Sequence, residues 1–197
     1  MRLSDKRPGP CTPLHALRIL ILFTVLWSGS TAAGPDSDVL DVRTEPGGGV
    51  RATAHVTFPA GPMLIQSMLT DYPHWPELFE VRMRLAGLKI ENGVATTDLR
   101  IDHVLLPGER RLVTVSRTLP EGGLVTDLVG GDFKKYHRVW KFAAANGGAN
   151  TLADFELVVA IDSIMPDWLV ALAMRRELEA HFRIVKKKAL ALAKVER

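Results

Sequence analysis

At Met165-Pro166-Asp167-Trp168 the chain changes its period. From Val81 to Ile161, apolar and polar residues alternate in short runs broken by glycine and proline turns, as half-buried antiparallel strands do. From Pro166 onward, Trp168, Leu172, Leu178, Phe182, Val185, Ala189 and Leu192 follow helical spacing, while Arg175, Arg176, Glu179, Arg183, Lys187 and Lys194 fall largely outside that stripe. Pro166 and Asp167 suit the positive end of a helix dipole, and lysines and arginines suit its later turns. Continuous to the end, this helix would be about 45 Å long. A meander of strands closed by one long helix describes a sheet wrapped around a helix. The space enclosed between them is where function is expected.

Upstream, Val39 to Thr44 and Val50 to Phe58 can pair as a hairpin across Glu45-Pro46-Gly47-Gly48-Gly49. In the second strand Val50, Ala52, Ala54, Val56 and Phe58 share one face. Pro62 opens a short helix over Met63 to Leu69, and Pro73 and Pro76 allow only a brief helical piece around Trp75 to Phe79. Along the meander, Val81, Met83 and Leu85 oppose Arg82 and Arg84. Leu99, Ile101, His103 and Leu105 oppose Asp98, Arg100 and Asp102. Val113 and Val115 share a face with Arg117; Tyr136, Trp140 and Phe142 share one with Arg138; Phe155, Leu157 and Val159 line a last strand over Thr151 to Ile161.

The N-terminus has the composition of an export leader. Arg2, Lys6, Arg7 and Arg18 precede an apolar run, Ile19 to Trp27, and Ser30-Thr31-Ala32-Ala33 supplies small residues for cleavage after Ala33. The run is shorter than the roughly 20 residues a spanning helix needs. The expected organisation is a leader over 1–33, a linker over 34–38 and one folded domain over 39–197, in a periplasmic or secreted protein. Cys11 is the only cysteine and precedes the apolar run, so a mature chain would have no thiol and no disulfide. Without residues 1–33 the chain carries 21 basic and 21 acidic residues. The high isoelectric point therefore gives no argument for a nucleic-acid partner.

Two stretches carry a family resemblance. Thr70-Asp71-Tyr72-Pro73-His74-Trp75-Pro76 resembles the Leu-Thr-Asp-Tyr-x-x-Trp-Pro stretch of the coenzyme Q-binding and polyketide-cyclase branch of the START-like helix-grip superfamily. Met165-Pro166-Asp167-Trp168-Leu169 resembles the Leu-Pro-x-Trp-Leu that opens the last helix there. The resemblance spans Val39 to Lys194. It implies an α+β fold with a curved, seven-stranded antiparallel sheet around the long C-terminal helix, two short helices after the first strand, and a ligand cavity. It implies ligand burial rather than any one reaction.

The residues expected on or near the cavity are Trp75, Phe79, Leu99, Tyr136, Trp140, Phe155 and Trp168, with His103, Arg117 and Arg138 as polar anchors. An arginine facing an apolar pocket needs an acidic partner or an anionic ligand head. Asp71 with Tyr72, or His103 with Arg117, could serve as an acid/base pair. The histidines are too scattered for a metal site, no nucleophile motif is present, and no cofactor is expected. The basic stretch Arg183 to Lys188 reads as a solvated helix face, with a transient contact to an anionic membrane surface as its other use. The favoured function is binding or transport of a hydrophobic small molecule, such as a lipid, quinone or polycyclic compound. The alternatives are a cyclase or dehydratase acting on a polyketide-like or terpenoid substrate, and an interaction module with an exposed apolar patch near Trp75 to Phe79.

Overall fold

The structure, a computed structural model, describes residues 38–104, 106, 108–162 and 164–195. The leader and its cleavage site lie outside the described residues, as does Leu105. Eight strands, β1 (Val39–Thr44), β2 (Val50–Phe58), β3 (Arg82–Glu91), β4 (Val94–Asp102), β5 (Arg110–Thr118), β6 (Gly123–Gly131), β7 (Phe133–Ala145) and β8 (Asn150–Ile161), form one antiparallel sheet in the order β1-β2-β8-β7-β6-β5-β4-β3. That is one strand more than the resemblance implies. Helix α1 (Pro62–Thr70), a 3-10 helix (Tyr72–Leu78) and the long α2 (Asp167–Val195) complete the helix-grip arrangement. No described helix is long and apolar enough to cross a membrane.

Turn chemistry sets the strand lengths. Asn92 and Gly93 both have positive φ, as the tightest hairpin connection requires. They extend β3 to Glu91, well past the alternation that ends at Leu85. The register shifts between Leu85 and Gly87, kinking this edge strand. Gly123 opens β6 at φ +108°, where a Cβ would lie 2.1 Å from the Trp140 carbonyl oxygen. Only glycine permits that approach. Its N–H donates to Gln66 Oε1 at 3.0 Å, tying α1 to the sheet.

In β5 the expected faces are reversed. Leu112, Thr114 and Ser116 are buried on the concave side, and Val113, Val115 and Arg117 face outward. Thr97 meets Thr114 at 2.9 Å and Ser116 meets Thr126 at 2.9 Å, so the small polar side chains satisfy one another inside.

Helix α2 behaves as two halves. The second half buries Leu178, His181, Phe182, Val185 and Ala189. Phe182 meets Trp140 and Phe155 with ring centroids 5.7 and 5.4 Å apart, and Trp140 lies 4.5 Å from Phe155. Each large apolar side chain buried there stabilises by about 1.5–3 kcal/mol. The first half is less deeply buried: Trp168 and Leu172 are exposed. Its start is pinned to the β1–β2 turn, where Asp167 Oδ2 accepts the Gly49 N–H at 3.1 Å.

Candidate functional site

Between the first half of α2 and the concave face of the sheet lies a cavity of about 190 Å³. Its wall takes Trp75 from the 3-10 helix, Phe79 just beyond it, Met83 from β3, and Leu99 and Ile101 from β4. Leu112 comes from β5, Phe133, Tyr136 and Arg138 from β7, and Leu157, Val159 and Ile161 from β8. Val170, Ala173, Met174, Glu177 and Leu178 close it from α2, with His103, Leu106 and Met165 from the adjoining loops. The lining is almost wholly apolar. The space ends where the Trp140–Phe155–Phe182 cluster fills the gap between sheet and helix.

Six expected site residues are brought together on this wall: Trp75, Phe79, Leu99, His103, Tyr136 and Arg138. Four are not. Arg117 projects from the outer face, where it pairs with Asp127 at 3.0 Å; the β5 reversal puts it there. Trp140 and Phe155 do face inward, but they sit beneath the second half of α2 as packed core, Trp140 with no exposed surface. Trp168 is 64% exposed, because it lies on the solvent face of α2 with Leu172, Arg176 and Arg183, whereas Val170 of the same turn faces the cavity.

The acid/base pairs are also separated. Asp71 is exposed and holds His74 Nδ1 at 2.8 Å, raising the His74 pKa, whereas Tyr72 points into the core. Burial raises the Tyr72 phenol, opposed by its hydrogen bond to Ser116 and by the Arg138 charge. His103 and Arg117 lie on opposite faces. No exposed patch forms at Trp75, which is 3% exposed and donates its Nε1–H to the Leu69 carbonyl at 2.8 Å.

The polar groups on the cavity wall are few. Arg138 is 6% exposed. Its Nη2 donates to Thr126 Oγ1 at 3.3 Å, and its guanidinium carbon stands 4.7 Å from the centre of the Trp75 ring, within reach for a cation–π contact. Its buried Nε has no hydrogen-bond partner. On the helix side, Glu177 Oε1 lies 3.7 Å from His103 Nε2, and Glu177 Oε2 is buried without a partner. Glu177 is absent from the sequence expectations. Its signal is present: at positions 170, 173, 174 and 177 a carboxylate interrupts a helical stripe of Val, Ala and Met. Among the described residues no group of three or more His, Cys, Asp or Glu could hold a metal ion.

No family model matches the chain, and no curated protein does. Solved structures do match in shape. A protein of Thermus thermophilus superposes with a TM-score of 0.61 at 17% identity, covering 72% of this chain and 98% of that one. A START superfamily protein from Mycobacterium smegmatis gives 0.58 at 19% identity, over 72% and 98%. The Zhui aromatase/cyclase from Streptomyces sp. R1128 gives 0.56 at 11% identity, over 76% and 94%. At these identities the likeness is one of fold.

Proposed function

We propose that this chain, which has the START-like helix-grip fold, binds a small hydrophobic molecule between its sheet and the first half of α2, as a carrier or sensor. The observation that carries this reading is the apolar cavity of about 190 Å³. A core of this size ordinarily closes up to crystal-like density, and the neighbouring aromatic cluster shows that these same elements can pack without a gap. An apolar cavity of about 150 Å³ holds a benzene-sized guest. The space therefore suits a single ring or a medium-length alkyl chain, or one end of a larger lipid. Hiding such a molecule removes apolar surface from water at roughly 25 cal/mol per Å². Residues 1–33 have the order of a basic segment, an apolar run and small residues, which supports delivery of the domain across a membrane with cleavage after Ala33.

The test is organic extraction and mass spectrometry of protein purified from its own host, which should yield a stoichiometric apolar compound. Protein that arrives empty and binds no apolar probe rejects the reading. The mass of the exported form tests the cleavage site.

One observation favours an enzyme of the cyclase or dehydratase type: His103 and Glu177 meet on the cavity wall, a pairing that could move a proton. Turnover lost in His103→Gln with guest binding retained would select that reading over the carrier.

A further inference from the structure

We infer that the guest is an acid: an apolar monocarboxylate whose carboxylate is held by Arg138. This rests on the reading of the cavity as a binding site and adds the chemical class of what it binds. Several arginines elsewhere in the chain are paired in the ordinary way. Arg51, Arg84, Arg111 and Arg117 each pair with a carboxylate, and all are more exposed than Arg138. Arg138 is the most deeply buried of these five cations, yet no described carboxylate lies within ion-pairing distance of it. A guanidinium keeps its charge in proteins, and an uncompensated buried charge is strongly unfavourable.

What Arg138 does have are neutral partners that orient it. Thr126 Oγ1 accepts from Nη2, Ser116 supports Thr126 from behind, and the Trp75 face lies against the guanidinium. The buried Nε is left without an acceptor. A planar guanidinium fixed this way offers donors in the fork geometry that matches a carboxylate. The nearby acid of the wall, Glu177, faces His103. The apolar wall then selects the rest of the guest, and the volume suits an aromatic ring, a chain near eight carbons or that much of a longer acid.

The experiment compares octanoate with octanamide, its neutral analogue of nearly the same shape, by calorimetric titration of the wild-type protein and of Arg138→Met. The wild type should bind octanoate tighter by about tenfold or more, as an ion pair replaces a hydrogen bond from the guanidinium to a neutral amide. Arg138→Met should bring the two guests within about twofold of each other. If wild-type protein binds both guests equally, the carboxylate assignment is wrong and the cavity reading stands. If it binds neither, both fail together. The wild-type comparison decides even where Arg138→Met does not fold, and a preference for octanoate that survives in a folded Arg138→Met overturns the assignment by placing the acid elsewhere.

Discussion

The imidazole of His181 lies flat on the ring of Phe79, with centroids 4.3 Å apart and planes 4° apart. Its Nδ1–H donates to the Leu78 carbonyl at 2.8 Å, so α2 is fastened to the segment that carries Trp75 and Phe79 into the cavity wall. Burial pushes the His181 pKa down to about 4, against the pull of that carbonyl, and the Arg138 charge lowers it further. A histidine in the unfolded chain titrates near 6.5. The unfolded state therefore takes up a proton that the folded state refuses. The stability from this group is complete above about pH 6.5 and is lost as pH falls from there toward 4.

Urea denaturation should accordingly show the protein about 2 kcal/mol less stable at pH 5 than at pH 7.5. His181→Gln, which has nothing to titrate, should flatten that difference. His74 has the opposite sign, since Asp71 raises its pKa, but both are exposed and solvent screens the pair. A slope unchanged in His181→Gln would show that other groups carry it.

Filling the cavity should separate binding from folding. Ala173 lies on the cavity wall in the loosely packed half of α2. Ala173→Phe is expected to abolish binding of an apolar fluorescent probe while shifting the thermal midpoint by no more than a few degrees. Unchanged probe binding would place the guest outside this space.

Thr126 is the neutral group that steadies Arg138. Thr126→Val keeps the shape and removes the hydroxyl, leaving Ser116 and Arg138 each short of a partner. The expected cost is about 1–3 kcal/mol in denaturant unfolding, with weaker binding of octanoate and unaltered binding of octanamide.

Gly123→Ala tests the turn between β5 and β6. A Cβ there meets the Trp140 carbonyl oxygen at 2.1 Å, and φ is +108°. Backbone strain alone costs about 1–3 kcal/mol, and the clash adds to it, so the unfolding midpoint in urea should fall markedly. A midpoint matching the wild type would mean that β6 does not approach β7 as closely as the structure has it.

Strand parity is readable wherever large apolar residues alternate with charges. Leu99 and Ile101 against Asp98 and Arg100, or Tyr136, Arg138 and Trp140 on one face of β7, follow from side chains whose burial preferences differ sharply. In β5 that contrast is inverted. The valines are outside and Thr114 and Ser116 are inside, because hydroxyls on neighbouring strands satisfy each other across the sheet. Pattern alone cannot show such a partner, and so the alternation puts Arg117 on the wrong face. Trp168 misleads for another reason. Helical spacing puts it at the rim of the Phe182 stripe, and the helix turns that rim to solvent, with Leu172 and Arg176 beside it, while Val170 and Met174 face the cavity. Trp140 and Phe155 show a different gap: facing inward is legible, whereas lying under the packed half of α2 depends on where the cavity ends.

The kink at Gly87 has a bearing on how the molecule meets its neighbours. A sheet that is not closed into a barrel offers an edge to any passing extended chain. At the β1 end, Arg175 reaches across from α2 to the Leu40 carbonyl. At the β3 end, Arg82 and Arg84 flank the first part of the strand, and the register shift bends the remainder away. Beyond the shift, Leu88 and Ile90 are exposed but alternate with Lys89 and Glu91, charges of the kind that blunt a sheet edge. The bend that disrupts one ladder thus shortens the regular edge that an incoming strand could extend.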